Sequence, residues 1–343
     1  MTGLRVIRAG PSVTVQDMGR PGLLAYGLSR GGAMDRLAPA EGAALLGQNS
    51  DLAALEMAGF GGVFEAEGDL RIALTGAPMA AEIDGERVAW NACHALPKGE
   101  RLSIGGAMQG VYGYLSIGGG LDTPIMLGSR AAHIAAGIGR PLAAGDFLAA
   151  GADPRPDKVG LGLRSTQRFG GGTVRVIPGP QTALFSAEVL ERFGSEVFRR
   201  DARGNRMGVR LLPQGDGFAT NAGLSIMSEI VVPGDIQVTG EGTPFVLMAE
   251  CQTTGGYPRI GTVLPTDLPI VAQAGPGATL CFVWVDLETA ENIEAAERKR
   301  IRSLGSEVFP LIRDPSAIPD LLSYQLISGA TAGDDLERED EWS

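Results

Sequence analysis

Short runs in which apolar and polar residues alternate, each broken by glycine or a polar turn, fill the first third of the chain and limit most strongly what it can fold into. Residues 4–9 (Leu-Arg-Val-Ile-Arg-Ala) and 13–16 (Val-Thr-Val-Gln) follow the period of two that sends successive side chains to opposite faces of a strand. The pattern returns at 54–57, 71–75, 81–85, 101–104 and 111–117. Strands this short cannot bury an apolar face alone and must be pooled into closed or stacked sheets. Glycine supplies 51 of 343 residues, about twice its usual share, while Leu, Ile and Val stay plentiful, so tight turns and not disorder explain it.

Three helical stretches are expected. Residues 37–46 are rich in Ala and Leu, with Asp35 as a capping acid before them and Gly47 as a stop. Residues 182–193 place Phe185, Val189 and Phe193 on one face before Gly194, and residues 287–304 are rich in Glu, Ala, Arg and Ile before Gly305. Residues 151–172 change to Asp, Pro, Arg, Lys and Gly and read as a connector. The expected division is a first β subdomain at 1–150, the connector at 151–172, a second β subdomain at 173–286, and a C-terminal helix with a peripheral, acidic tail at 287–343. An offset of 173 residues brings Met34 onto Met207, Glu56 onto Glu229, Gly61 onto Gly234 and residues 72–74 onto 245–247. It predicts two similar β-rich halves with a cleft where they meet.

The formal net charge is −11 and the last ten residues carry six acids against Arg338, so nucleic acid is not an expected partner. Cys93, Cys251 and Cys281 are far apart and the only histidines are His94 and His133, which argues against a Cys/His metal site. No apolar run approaches the ~18 residues of a membrane span, and residues 1–10 lack a signal-peptide core. A cytoplasmic protein with reduced thiols and no membrane contact is the expectation.

The densest polar cluster follows the apolar run 244–249. Gln252, Thr253 and Thr254 lead into Gly255-Gly256-Tyr257-Pro258 and Arg259. A glycine pair lets main-chain N–H groups approach a ligand, and the amide, hydroxyls, phenol and guanidinium beside it could hold a small planar amide. A hairpin turn whose hydroxyls satisfy the backbone has the same pattern. Asp17 and Arg20, separated by Met18-Gly19 and closed by Pro21-Gly22, fit either a salt bridge across a loop or a pocket wall. Cys251 reads as packing rather than a nucleophile, and His133 as a packed or surface residue rather than a base. Asp267 fits the start of a turn.

Taken in order, Gln16-Asp17-Met-Gly-Arg20, Gly32-Ala-Met-Asp35, Gly-Gly-Gly-Leu-Asp122 with Leu-Gly-Ser-Arg130, Asn205-Arg206-Met207-Gly208, and Gln252-Thr-Thr-Gly-Gly-Tyr-Pro258 with Asp267 and Gln273 form a series. It resembles the biotin-dependent carboxyltransferase subdomain A and B family, also called allophanate hydrolase subunit two or KipA-like, over about residues 4–286. That family includes the C subunit of 5-oxoprolinase and part of urea carboxylase. The resemblance implies a mainly β fold of two cyclophilin-like β-barrel subdomains with a few short helices.

It also implies chemistry. In such carboxyltransferases CO2 passes from carboxybiotin to an acceptor nitrogen, and the oxygen that becomes negative must meet preplaced donors. Arg206 and the N–H groups of Gly255 and Gly256 suit that task by type. Asp17 or Asp35 would orient a substrate amide, and Thr254 or Tyr257 would relay a proton. Gln252, Thr253, Asp267 and Gln273 would line the amide site. In the oxoprolinase version Arg20 would pair with the carboxylate of the lactam.

The sequence has no Ala-Met-Lys-Met biotinylation motif and no Gly-x4-Gly-Lys-Ser/Thr loop. ATP, and biotin where it is used, are therefore expected through partners: a KipI-like B subunit and the A subunit of an oxoprolinase. A regulatory binding protein that antagonises a kinase inhibitor is the alternative from a different class.

Overall fold

The computed structural model describes residues 2–218, 220 and 226–312. The acidic tail expected at the C-terminus lies outside them. The fold is mainly β, as the alternating runs require. In the first half two antiparallel sheets share one core. One sheet has the order Phe147–Ala149, Gly3–Ala9, Gly62–Ala66, Arg101–Ala107, Met79–Ile83 and Glu86–Arg87; the other runs Val13–Gln16, Ala54–Ala58, Tyr112–Ile117, Leu70–Gly76 and Ala92–Leu96, extended by Leu161–Gly162 and Phe309–Pro310. Alternation in Gly3–Ala9 turns Leu4 and Val6 inward, where they meet Phe64, Leu102 and Ile104 of their own sheet and Leu55, Met57, Ile72 and Leu115 of the facing one.

Strands Leu70–Gly76 and Tyr112–Ile117 are buried at every position because both faces are covered. Helix α1 (Leu37–Leu46) lies across their second face. It approaches closely because Gly42 has no Cβ; one built there would stand 2.5 Å from Ser116 Oγ. Gly47 ends the helix at φ 58° in the left-handed region, as expected.

The second half is a closed seven-stranded barrel: Gly171–Ile177, Arg259–Val263, Asp235–Val238, Pro244–Leu247, Gly208–Leu212, Val197–Arg200 and Thr279–Trp284, which pairs in parallel with the first. The expected helix at 182–193 is split. Residues Thr182–Leu184 make one 3-10 turn, Ser186 is extended, and its Oγ accepts from Val189 N at 3.4 Å to start helix α2 (Ala187–Ser195). The amphipathic α2 delivers Phe193 into the barrel, with its ring 5.0–5.5 Å from those of Phe282, Phe198 and Phe218. A short helix α3 (Leu268–Gln273) follows. Its Val271 and Ala272 belong to one apolar cluster with Met34, Ala38, Tyr112 and Tyr114 of the first half. The core thus runs across the junction between halves.

Helix α4 (Leu287–Ser303) forms where the sequence places it and joins the two halves. Glu294 accepts from Thr266 N and Oγ1 at 2.8 and 2.6 Å, fixing α4 to the second half, while Leu304 and Ile301 pack on α1 of the first. The 173-residue offset is also corrected. It lays strand Gly62–Ala66 on Asp235–Val238, but the former pairs with Gly3–Ala9 and Arg101–Ala107 and the latter with Pro244–Leu247 and Arg259–Val263. Sequence spacing sets where strands occur; which edges meet sets their pairing.

Candidate functional site

Where the halves meet, a cavity of about 670 Å³ is walled by Glu56 and Tyr112 from the first half and by Arg200, Asn205, Arg206 and Glu250 from the second. Arg206 rides on the turn that leads into strand Gly208–Leu212. Asn205 shapes that turn, its Oδ1 accepting from Met207 N at 2.8 Å. The Arg206 guanidinium spans the junction: Nε donates to Glu250 Oε1 at 2.5 Å, Nη2 to Gly32 O at 2.7 Å, and Nη1 to Glu56 Oε1. Burial opposes its charge, but Glu56 and Glu250 outweigh burial and raise its pKa above the ordinary arginine value.

The two carboxylates are fixed in turn. Glu56 Oε2 accepts from Tyr114 Oη at 2.7 Å and Met34 N at 2.8 Å; Glu250 Oε2 accepts from Ala135 N at 3.0 Å. Burial and the nearby Glu56 push the Tyr112 phenol well above its usual pKa, which keeps it protonated. A second depression, about 690 Å³, lies beside Arg71 and Asp153. Those two residues neutralise one another at 2.7 Å, so that depression has no uncommitted charge of theirs to offer.

Of the residues expected at the site, Arg206 borders this cavity. Gln273 stands directly behind it: Oε1 accepts from Val111 N and Tyr112 N at 2.9 Å, and Nε2 donates to Asp35 Oδ2 at 2.7 Å. Asp35 is buried, pairs with Arg168 at 2.7 Å and accepts from Leu37 N at 3.1 Å at the start of α1. Asp17 staples loops, accepting from Gly19 N, Ser129 Oγ and Arg130 N at 2.6–2.7 Å. Arg20 is 1% exposed and holds Ala131 O at 2.5 Å. Asp267 accepts from Arg175 N and Nε at 2.7 and 2.8 Å.

The expectation that the Gly-Gly-Tyr bend shares a hollow with Arg206 is not met. Thr254–Gly255 pairs with Glu229–Ile230, and Thr253 O accepts from Val231 N at 3.0 Å. The Gln252 side chain donates to Gln237 at 3.0 Å, and Gly256 O accepts from Ile226 N at 2.9 Å. Val231, Leu247 and Cys251 pack beneath this small sheet. Tyr257, 44% exposed, borders a separate depression with Arg210 and Thr243.

Sequence reasoning left Glu56 unassigned beyond the repeat and did not reach Glu250, Tyr112 or Arg200. A signal existed for the two acids, since each sits in an apolar run (Ala54-Leu55-Glu56-Met57 and Leu247-Met248-Ala249-Glu250). A carboxylate carried inside by such a run needs a cation there. Among the described residues no group of three or more His, Cys, Asp and Glu could hold a metal ion.

His133 backs Glu250, with Nδ1 3.8 Å from Glu250 Oε2 and Nε2 2.9 Å from Ser29 Oγ. Burial holds its pKa below the ordinary histidine value against the pull of Glu250. A folded-state pKa below the unfolded one means that the unfolded chain binds the proton better, so this contribution to stability is present above about pH 6.5 and is lost as pH falls. Denaturant titrations at about pH 7.5 and about pH 5.5 should show the wild type weakening at the lower pH. His133→Gln should make that slope shallower. His94, also held low by burial, supplies the matching control, and an unchanged slope in His133→Gln would show that His133 carries none of it.

The profile of the carboxyltransferase domain, subdomain A and B, matches residues 26–284, which hold the whole cavity wall named above. The chain is 35% identical over 291 residues to the C subunit of 5-oxoprolinase from Escherichia coli, covering 84% of this chain and 93% of that protein. It is 32% identical to the C subunit of the Haemophilus influenzae 5-oxoprolinase, covering 82% and 90%. Among solved structures, urea carboxylase of Kluyveromyces lactis superposes with a TM-score of 0.79 at 26% identity, over 91% of this chain and 31% of that one. Another solved structure, 33% identical with a TM-score of 0.75 over 82% of this chain, is longer, and the chain spans 56% of it. The chain therefore belongs to the family of carboxyltransferase domains, subdomains A and B.

Proposed function

We propose that the protein is the C subunit of a 5-oxoprolinase and that its junction cavity receives the lactam while partner subunits supply ATP. The observation that carries this reading is the fixed acid–base wall of the cavity, in a chain whose relatives of similar length are named as the C subunit of 5-oxoprolinase. Arg206 uses its donors on Glu56, Glu250 and Gly32, so its part is to hold the two carboxylates still. A carboxylate has about four lone-pair sites. Glu250 spends one on Arg206 and one on Ala135 N, so it can accept the N–H of a bound amide. The protonated Tyr112 phenol can donate to the amide oxygen. An unstrained amide does not open readily in water, and ATP brought by the oxoprolinase A subunit and the KipI-like B subunit would supply that activation.

The superposition on urea carboxylase favours a second reading, in which the acceptor is urea and biotin enters on a partner. Co-purification with the A and B subunits, followed by an assay of ATP-dependent glutamate release from 5-oxoproline, separates the two. Release that requires this chain is the expected result. Absence of release together with avidin-sensitive carboxylation of urea would replace the first reading by the second.

A further inference from the structure

Four charged side chains wall the junction cavity: Glu56, Glu250, Arg206 and Arg200. Arg206 pairs with both carboxylates, so these three side chains together keep one negative charge. Arg200 stands apart, in no ion pair among the described residues. It is 5% exposed, Nη1 donates to Asp201 O at 2.9 Å, and Nε is buried without any partner.

The neighbouring carboxylate does not fill that need. Asp201 is committed to Arg203 Nη2 at 3.0 Å, Arg210 Nη1 at 3.1 Å and Arg203 N at 2.8 Å. The backbone fixes where Arg200 stands: its N donates to Ala278 O at 2.9 Å and its O accepts from Gly277 N at 2.8 Å, pinning the end of strand Val197–Arg200 to the loop that carries Pro276 into the cavity wall. Gly204 lies close against the guanidinium, where a Cβ would stand 2.4 Å from Nη2. A buried guanidinium without a salt bridge and with an unpartnered Nε is costly, and such groups in folded proteins find partners. Here a ligand is the partner left to supply.

We propose that Arg200 binds the carboxylate of the ligand, so that the cavity selects a small amide bearing an acid over the same amide without one. The inference rests on the lactam reading above and assigns the carboxylate contact to Arg200, because Arg200 borders the cavity, whereas Arg20, whose Nη1 is also buried without a partner, holds the carbonyls of Met126 and Ala131 away from that wall. Burial lowers the Arg200 pKa, and Tyr112 and Asp201 offset part of that. With Glu250 for the N–H and Tyr112 for the carbonyl, each polar group of an acidic lactam meets one side chain.

Equilibrium binding to the full chain in complex with its partner subunits tests this with three probes: 5-oxoproline, 2-pyrrolidinone, which is the same lactam without the carboxylate, and cyclopentanecarboxylate, an acid without the amide. Hydrogen bonds to charged groups predict at least ~10-fold weaker binding of 2-pyrrolidinone than of 5-oxoproline. Arg200→Gln should abolish that preference and Arg200→Lys should keep part of it. Arg200 forms no ion pair among the described residues, so the Gln variant is expected to lose far less in denaturant midpoint than Arg206→Ala, and the Lys variant guards against misfolding. Equal binding of both lactams by the wild type, no binding of either acid, or a preference that survives Arg200→Gln would overturn the assignment. Binding of cyclopentanecarboxylate through Arg200 without any glutamate release would uphold Arg200 and sink the oxoprolinase reading instead.

Discussion

Arg206→Ala is expected to cost the fold about 3–5 kcal/mol, the range for removing one partner of a buried ion pair. The guanidinium is the counter-ion of two carboxylates, Glu56 and Glu250, whose side chains are each 2% exposed. Its removal leaves both at the cavity wall without their counter-ion. It also releases the Gly32 carbonyl, and with it one tie between the loop at the start of α1 and the barrel. The loss should appear as a lower denaturant midpoint with little change in slope. It should shrink as pH falls, because protonating the orphaned acids removes the uncompensated charge.

A triple replacement, Glu56→Gln, Arg206→Met and Glu250→Gln, takes away charge and counter-charge together and should recover much of the stability while leaving the complex inactive. If Arg206→Ala lost less than about 1 kcal/mol, the range of exposed pairs, the clamp would be a solvated one.

That clamp shows what a sequence of this kind exposes. The helix 37–46 and the strands at 4–9, 54–57, 71–75 and 111–117 were legible because period, cap and stop agree locally. Arg206 stood out only as part of the Asn-Arg-Met-Gly motif in the series that carries the family resemblance. Arg200 was legible in principle: in Val197-Phe198-Arg199-Arg200, the period of two puts Arg200 on the side of Phe198, and both are buried.

The Gly-Gly-Tyr bend was misplaced for a different reason. Where a turn points depends on the strand its flank joins, here Glu229–Ile230, some 25 residues upstream, and no local pattern encodes that. Asp17 and Arg20 carried two meanings from the start, pocket wall or loop tie. The structure gives them Ser129, Arg130, Met126 and Ala131 as partners, contacts made across more than 100 residues of chain.

Arg168→Met is expected to bring a loss of the same size, about 3–5 kcal/mol, from a place that does not border the cavity. Arg168, in the connector, donates to Asp35 Oδ2 through Nε at 2.7 Å and to both oxygens of Glu41 at 2.7 and 3.0 Å. It thereby ties the connector to α1, and through Gln273, which shares Asp35 Oδ2, to α3 of the second half. Methionine keeps the stem's packing but leaves Asp35 and Glu41 buried and facing each other.

The pH dependence has a definite sign. Burial already raises the Glu41 pKa while Arg168 pulls it down, so loss of Arg168 raises it further. A carboxylate whose folded-state pKa exceeds the unfolded one stabilises the fold below the unfolded value and loses that contribution as pH rises through the folded value. The deficit of Arg168→Met should therefore be full at neutral pH and narrow on acidification, as read from denaturant midpoints of variant and wild type across the same pH series. Turnover per folded complex should change far less than the midpoint, because Asp35 and Arg168 stand behind the wall and Glu250, Tyr112 and Arg200 form it. A variant as stable as the wild type but without turnover would instead put Asp35 in the chemistry.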